Sequence, residues 1–338
     1  TESLCERRAI PPGTRSTGYP AQNLMMMSRR SFACGLAAFA AFAASTQGAF
    51  AARVCAVSEL GETCLAQPAR RVVALDQQSA EFLLALGLQP VGMTGPANYR
   101  RFTGDAEPRL SDEVTDLGLS SAPNIEFIMA LEPDLILGSA NSIQKSRTLL
   151  GEIAPVAAFL SYPAGKPDQM ANMVETLRAV ARLTGREAEC GDFLASLDET
   201  LAEMKQSVVA KGLDKRPVVL GNVNAGVTGA EIMLFNRNAL PAQLLQRCGF
   251  AYAYDDDRYL EKGFNVTTAE TLIALQDADF LYMPFNEKGV ANLMATPVWR
   301  NLRFVRENRF QPIPYRLIHN GPLSARLFLR DVRKALLT

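Results

Sequence analysis

The sequence contains a single histidine, His319, and this scarcity limits the chemistry that the chain can perform. A Ser-His-Asp triad or a histidine-based metal site would have to be built around that one imidazole. The glycine-rich phosphate loops, the HExxH zinc motif and the GxSxG nucleophile motif are all absent. His319 follows a predicted strand, where it is either part of a binding cleft or an ordinary turn residue. We therefore expect a binding protein, not an enzyme, with no metal or cofactor of its own.

A second group of candidate residues lies in the segment from Asn98 to Phe102. It follows a predicted strand from Pro90 to Met93. Loops that follow parallel strands form the ligand sites of open α/β sheets. This segment is therefore predicted to lie at such a site.

Two glutamates occupy equivalent positions in a unit that the chain uses twice. The first copy runs from Ala122 to Ser139 and reads as a short helix, a turn and a buried strand, with Glu126 in its helix; Glu270 stands 144 residues later in the second copy. Thr267 and Glu270 have the spacing of a capping box, which would explain Glu270. In the first copy Pro123 stands at the position of the capping residue and has no hydroxyl, so the same explanation fits Glu126 less well. The carboxylates either stabilise their helices or dock a symmetric basic partner.

The repeat predicts two related α/β lobes whose equivalent edges can face each other across a cleft. Apolar β-branched runs predict buried strands, which alternate with helices and favour parallel pairing. Between the two copies lies an apolar stripe made of Phe193, Leu197, Leu201, Met204 and Val208. Its spacing predicts a helix from about residue 186 to 210, long enough to link two lobes. A helix lying on one lobe is the alternative.

Length and composition agree with about two domains. The chain has 338 residues, 48% of them hydrophobic, which is enough for large cores. Basic and acidic residues both number 35, so no basic field exists to attract nucleic acid. The predicted divisions are an upstream extension with an export signal (1–51), an N-terminal arm (52–69), a first lobe (70–185), an interlobe helix (186–210) and a second lobe (211–338).

The N-terminal region reads as a twin-arginine export signal. Arg29 and Arg30 precede the apolar run from Ala33 to Ala44, and a small-x-small cleavage pattern ends at Ala51. The run is shorter than the roughly 20 residues of a membrane-spanning helix, so we expect it to be removed and not to serve as an anchor. The mature chain is then periplasmic.

Four cysteines remain after residue 51. Cys55 and Cys64 flank a short polar loop, and in an oxidising periplasm they either form a disulfide or remain unpaired. Cys190 and Cys248 lie within apolar patterns and are predicted to be core residues.

Several motifs in a fixed order carry a resemblance to a known family. They are RVVAL at 71–75, EFLLALG at 81–87, NYR at 98–100, DLG at 116–118, PNIE at 123–126, MATP at 294–297 with Trp299, and LSA at 323–325. From about residue 70 to the end, the chain resembles the periplasmic ferric-siderophore binding proteins of ABC importers, and their hydroxamate-binding type in particular.

The resemblance implies the fold of a class III periplasmic binding protein: two α/β lobes, each a mainly parallel sheet flanked by helices, joined by a single long backbone helix. It implies capture of a ferric siderophore, of hydroxamate or carboxylate type, in the interlobe cleft and delivery to an inner-membrane ABC permease and ATPase complex. Glu126 and Glu270 would meet arginines of the permease. We expect a monomer that does not bind nucleic acid.

The resemblance also directs attention to particular ligand-binding residues. A siderophore saturates its iron with its own oxygens, so the protein supplies only hydrogen bonds, charge and apolar surface. The candidates are Tyr99, Arg100, Arg101, Phe102, Ser120, Asn141, Asn265, Tyr315, Arg316 and His319. Ser120 stands where the ferrichrome-binding proteins carry an arginine. The other arginines nevertheless favour a more anionic chelate, such as a citrate-type siderophore.

Two other functions remain possible from the sequence alone. Haem or cobalamin binding in the same fold is disfavoured only weakly, by the scarcity of histidine and tryptophan. A siderophore-processing enzyme would need a nucleophile or a redox centre, and no motif for either is found.

Overall fold

Two five-stranded sheets, one in each half of the chain, form the framework of the protein. They are seen in a computed structural model that describes residues 53–227, 229–256, 262–318 and 321–338. The predicted export signal with Arg29 and Arg30, and the candidate residue His319, lie outside these ranges.

The predicted N-terminal arm is a β-hairpin that packs against the first lobe. Its strands are β1 (Val54–Ser58) and β2 (Gly61–Leu65), and a disulfide joins Cys55 to Cys64 between them. The Thr63 hydroxyl donates to the Val156 carbonyl at 2.9 Å, which fastens the hairpin to the neighbouring sheet. The sequence left open a disulfide or two unpaired thiols, and the structure has the disulfide.

The first lobe contains a sheet whose neighbouring strands are all parallel, in the order β5-β4-β3-β8-β9. Its central strand is the predicted apolar run, and all three of its residues are buried. The elements are β3 (Val72–Ala74), α1 (Gln77–Ala85), β4 (Gly92–Met93), α2 (Pro96–Thr103), β5 (Thr115–Asp116), β6 (Gly118–Leu119), β7 (Ala122–Pro123), α3 (Ile125–Ala130), β8 (Leu135–Ser139), α4 (Ala140–Ile143), α5 (Arg147–Ile153) and β9 (Val156–Phe159).

Two long helices follow this sheet, α6 (Gln169–Thr184) and α7 (Glu187–Ala210). Gly185 separates them in the left-handed conformation, with φ of 63°, which favours glycine. All five residues of the predicted apolar stripe are buried along α7, together with Cys190. This is the backbone helix that joins the two lobes.

The second lobe has a mixed sheet in the order β12-β11-β10-β13-β14. Strands β10, β13 and β14 are parallel, whereas β11 and β12 add antiparallel pairs through a hairpin. The elements are β10 (Val218–Ala225), β11 (Ala230–Phe235), α8 (Leu240–Arg247), β12 (Phe264–Thr267), a 3₁₀ helix (Ala269–Leu275), β13 (Asp279–Pro284), α9 (Glu287–Ala295), α10 (Pro297–Asn301), α11 (Arg303–Arg306), β14 (Phe310–Pro312) and α12 (Pro322–Val332).

The repeated unit occupies corresponding places in the two sheets. In the first copy α3 leads into β8, which lies beside the central strand β3; in the second the 3₁₀ helix leads into β13, beside β10. Ile128 and Leu272 are equivalent residues, and both are fully buried anchors of their helices. The two lobes are therefore related by duplication of structure as well as sequence.

One apolar core runs continuously through both lobes. It contains Leu84 from α1, Met204 from α7, Leu244 from α8 and Phe328 from α12. Polar contacts cross the same boundary: Gln243 on α8 accepts from the backbone N–H of Met170 at 3.0 Å. None of the helices in the described ranges is long and apolar enough to cross a membrane.

Replacing both Cys55 and Cys64 by serine is expected to lower the free energy of unfolding by about 2 to 3 kcal/mol, because the bond closes a short loop in the unfolded chain. Urea unfolding with and without a reducing agent checks this. Reduction should destabilise the wild-type protein and leave the double variant unchanged. Equal stabilities of the two proteins under oxidising conditions would contradict the prediction.

A candidate ligand-binding cleft between the lobes

The main candidate site lies at the carboxyl edge of the first sheet, where parallel strands bring their ends together. Thr94 directly follows β4, Ser139 ends β8, and Ser161 comes soon after β9; all line one cavity of about 350 Å³. The second lobe contributes Leu317 to the lining. The cavity is therefore a cleft between the two lobes, with most of its floor in the first.

Asp76 belongs to this floor and connects two of its strands. One of its carboxylate oxygens accepts from the N–H of Ser79 at 2.7 Å and caps α1, and the other accepts from the N–H of Ser139 at 2.5 Å. Burial raises the pKa of Asp76, and these hydrogen bonds oppose that rise. The side chain thus fastens the end of β3 to the end of β8.

The remaining polar lining of the cleft is neutral. It includes the amides of Gln77, Gln78 and Asn98 and the hydroxyls of Ser120 and Ser161. Among the described residues that line the cavity there is no lysine or arginine. The Ser161 hydroxyl donates to the Gln78 side-chain oxygen. The cleft can offer hydrogen bonds to a ligand, but little positive charge.

Three aromatic rings, which we call the aromatic wall, pack together beside the residues that line the cleft. Tyr315 packs edge-on against Phe102 and Phe285, with ring centroids 5.1 and 5.0 Å apart. Phe285 is 44% exposed, so the wall presents free apolar surface. Asn98, which lines the cavity, lies four residues before Phe102 on α2, and residues at that spacing share a face. Phe102 therefore lies on the same side of α2 as the cavity, and the three rings are neighbours of its lining residues, not members of that lining.

Tyr315 is partly buried in this wall. Burial raises the pKa of Tyr315, and the Asn222 side chain partly offsets the rise. The phenol therefore remains neutral near pH 7.

Several of the residues predicted from the sequence come together at this cleft. Ser120 lines the cavity, and Phe102 and Tyr315 form two thirds of the aromatic wall. Arg101 is exposed, and its guanidinium lies 5.3 Å from the centroid of the Phe102 ring. Of the three predicted arginines, Arg101 is the one that is available to a ligand.

Tyr99 does not face the cleft, contrary to the prediction. It is almost completely buried in the core, on a different face of α2 from Asn98. Its hydroxyl has no hydrogen-bond partner among the described residues. Burial strongly raises the pKa of Tyr99, so the phenol stays neutral.

Arg316 is also corrected: it is a buried strut and not a ligand contact. Its Nε donates to Asp331 at 2.7 Å, and its Nη1 donates to Asp105 at 2.8 Å and to the Phe102 carbonyl at 3.1 Å. Burial alone would lower the pKa of Arg316, but the two carboxylates outweigh it and raise the value. In return, the hydrogen bond from Arg316 is the main cause that lowers the pKa of Asp105 to about 2.

The other polar candidates are engaged elsewhere. Arg100 forms an ion pair with Asp112 at 3.3 Å and donates to the Ser111 carbonyl. The Asn265 amide donates to the Tyr254 hydroxyl at 2.8 Å and to Asp256 at 2.6 Å. Asn141 is exposed on α4 and is not among the lining residues of the cavity.

Four residues of the cleft were not predicted from the sequence: Gln77, Gln78, Thr94 and Ser161. A signal for them existed, since each follows one of the strands of the first sheet within a few residues. Applying the carboxyl-edge rule to every strand, instead of to one, would have found them.

The two equivalent glutamates are exposed on their helices. Asn124 caps α3 by accepting from the N–H of Phe127 at 3.1 Å. The predicted capping box at Glu270 is wrong, because the Thr267 hydroxyl donates to the Ile232 carbonyl instead. The Thr268 hydroxyl donates to the Glu270 carboxylate and lowers its pKa. Neither glutamate forms an ion pair with another described residue.

Comparisons with known proteins agree with this architecture. The model of the family described as periplasmic binding protein matches residues 72–317. The chain is 31% identical over 267 residues to the iron(3+)-hydroxamate-binding protein FhuD of Escherichia coli, covering 79% of this chain and 86% of that protein. It is 24% identical to the achromobactin-binding periplasmic protein of Dickeya dadantii, covering 81% and 90%.

Solved structures give the same result. The structure of FhuD from Vibrio cholerae with bound Fe3+-Desferal superposes with a TM-score of 0.70 at 25% identity, covering 80% of this chain and 98% of that one. SirA of Staphylococcus aureus with staphyloferrin B superposes with a TM-score of 0.63 at 20% identity, covering 83% and 97%, and shares the fold.

Replacing Arg316 by methionine is expected to destabilise the protein by about 3 kcal/mol, because Asp331 is left buried without its main partner. Urea unfolding at pH 7 measures the loss. The exposed Arg101 provides the matched control, and its replacement by methionine should change stability by less than about 0.5 kcal/mol. Similar values for the two variants would contradict the role of Arg316 as a strut.

Proposed function

The chain belongs to the periplasmic binding protein family, and on that premise we propose that it captures a ferric siderophore in the interlobe cleft and delivers it to an inner-membrane ABC permease. The observation that carries the proposal is the cleft itself, whose floor offers amides and hydroxyls around the hydrogen-bonded Asp76, with no lysine or arginine among its described lining residues, and which lies beside a partly exposed aromatic wall. Such a surface suits a chelate that has already satisfied its metal. Members of this family are substrate-binding proteins, not enzymes.

The charge of the cleft favours a hydroxamate over a carboxylate siderophore. A strongly anionic chelate loses hydration when it enters a cleft and needs cations there to compensate. Two of the three arginines considered from the sequence, Arg100 and Arg316, are held by carboxylates, and Arg101 alone is available among them. The anionic, citrate-type ligand suggested by the arginine content is therefore replaced by a neutral or weakly charged trihydroxamate.

The contacts available in the cleft match the parts of such a ligand. The amides of Gln77, Gln78 and Asn98 can donate to hydroxamate oxygens, and the aromatic wall can contact the hydrocarbon linkers. Micromolar binding requires about −8 kcal/mol, which several hydrogen bonds and buried apolar area can supply together.

A separate surface on each lobe is proposed to dock the permease. Glu126 and Glu270 are equivalent and exposed, and three residues after each stands an exposed apolar side chain, Met129 at 57% and Ile273 at 49%. The same acidic and apolar pair thus occurs on both lobes. Two matched surfaces fit a partner with two equivalent subunits, each offering a basic group beside an apolar one.

We propose that the protein acts in the periplasm, and two relatives described as periplasmic proteins support this. Export by the twin-arginine route is proposed from Arg29, Arg30 and the apolar run that follows them. We further propose that the protein acts as a monomer.

The ligand proposal predicts micromolar or tighter binding of ferric desferrioxamine B and at least about tenfold weaker binding of ferric citrate. Isothermal titration calorimetry on the purified protein measures both. Removing one cleft amide with Asn98→Ala should weaken the trihydroxamate about fivefold, whereas Asn141→Ala, outside the cavity lining, should not. Tighter binding of ferric citrate than of the trihydroxamate would contradict the ligand class.

The docking proposal predicts that Glu126→Ala combined with Glu270→Ala lowers siderophore-dependent iron uptake by cells at least about tenfold, since each lost ion pair costs of the order of 1 kcal/mol or more. Binding of the ferric siderophore by the purified double variant should stay within about twofold of wild type, because neither residue lies at the cleft. Glu199→Ala on α7 serves as the control for loss of an exposed charge. Lost ligand binding in the double variant would contradict the separation of the two surfaces.

A further inference from the structure

A buried carboxylate on helix α1 joins the two lobes. Glu81 lies on α1 of the first lobe and is only 3% exposed. Its Oε2 accepts from both the N–H and the hydroxyl of Ser324, at 2.7 and 2.9 Å. Ser324 belongs to the first turn of α12 in the second lobe. One carboxylate of the first lobe therefore supplies the N-terminal hydrogen bonds of a helix in the other.

At this point the two lobes lie so close together that no side chain fits between them. A Cβ on Gly321 would lie 2.1 Å from Oε2 of Glu81. The glycine before α12 is thus needed because the carboxylate occupies the space of its missing side chain. The contact is specific and tight, not an incidental approach of two surfaces.

Glu81 also connects the two walls of the cleft. The helix that carries it begins with Gln77 and Gln78, which line the floor. The helix that it holds follows the segment with Tyr315 of the aromatic wall and Leu317 of the cavity lining. Any movement of α12 away from α1 would therefore alter the distance between the floor and the opposite wall.

We propose that Glu81 is a positioning residue for ligand binding, which holds the two walls of the cleft in register, and that its ionisation makes binding depend on pH. The role rests on the proposed function, since it assumes that the cleft holds the ligand.

The surroundings of Glu81 place its titration near neutral pH. Burial raises the pKa of Glu81 to about 7, against the opposing effect of hydrogen bonds from Ser324 and from the Leu323 N–H. No charged side chain of the described residues contributes to this shift. The titratable group that faces Glu81 is the Tyr99 phenol on α2, which stays neutral because burial and the Glu81 charge both raise its pKa.

Protonation changes the hydrogen bonds of the contact without breaking it. When Glu81 is ionised, the Ser324 hydroxyl donates to it. When Glu81 is neutral, its own O–H can donate to the Ser324 oxygen, and the Ser324 proton is then free for the Gly321 carbonyl at 3.2 Å. The hydrogen bonds from α12 favour the ionised form, but the cost of burying its charge outweighs them, so protonation favours the closed contact over any state in which water reaches Glu81.

The sign of the pH effect follows from the raised pKa. The folded protein binds a proton more tightly at Glu81 than the unfolded chain does, with its ordinary value of 4.5. The contribution of Glu81 to stability is therefore full below about pH 4.5 and is lost as the pH rises through about 7. About nine tenths of Glu81 is neutral at pH 6 and about one tenth at pH 8. Because ionisation favours separation of α12 from α1, affinity falls at most about tenfold between these pH values.

The test compares wild type with Glu81→Gln, which keeps the size and the acceptor oxygen but cannot ionise, and with the control Glu199→Gln, which removes an exposed charge from α7. Thermal unfolding and binding of ferric desferrioxamine B are measured at pH 6 and pH 8. Wild type and Glu199→Gln should bind about threefold to tenfold more weakly at pH 8 and should unfold at a lower temperature there. In Glu81→Gln both differences should shrink markedly.

A second variant, Ser324→Ala, keeps the backbone donor and removes the hydroxyl that lowers the pKa of Glu81. Its pH transition should move upward from that of wild type. The same pH dependence of unfolding in wild type, Glu81→Gln and Ser324→Ala would overturn the proposal. Failure of every variant to bind the trihydroxamate would count against the proposed function instead, and thermal unfolding would still decide whether Glu81 titrates at the contact between the lobes.

Discussion

The cleft depends on how α12 of the second lobe is held against the first lobe. The apolar core is continuous across this boundary, but apolar contacts alone do not define a single register between two packed surfaces. Two buried polar contacts do so: the Glu81 carboxylate receives the first turn of α12, and Arg316 joins Asp331 of α12 to Asp105 of the first lobe. Breaking either leaves a buried polar group without a partner, which is costly.

These contacts explain why basic residues near a cleft need not bind its ligand. Arg316 lies between Tyr315 and Leu317, both of which face the cleft region, yet its guanidinium points into the protein and joins the two lobes. Arg100 is occupied at the surface of its own lobe. The positive charge is thus used to fix the architecture, and the cleft keeps neutral donors that suit a ligand whose metal is already coordinated.

The duplicated unit serves the two lobes differently. In the first lobe the sheet is wholly parallel, so several strands end at one edge and together create the floor of the cavity. In the second lobe β10 and β11 form an antiparallel hairpin, so their carboxyl ends lie at opposite edges of the sheet. This lobe contributes mainly the aromatic wall. The exposed faces near Glu126 and Glu270 nevertheless remain alike. The two lobes therefore differ at the cleft and remain alike outside it, as the proposed single ligand and the proposed partner with two equivalent subunits would require.

The sequence by itself determined the two-lobed α/β fold, the backbone helix with its stripe ending at Val208, and the buried thiols, because these depend on local periodicity and on apolar side chains that must leave water. Motif order was enough to identify the family. The tertiary structure alone decided which polar residues line the cleft: Tyr99 and Arg316 are turned inward, while Gln78 and Ser161 are brought together from positions 83 residues apart. Sequence patterns report burial along one element, but the direction of a polar side chain depends on partners that only the folded chain brings near.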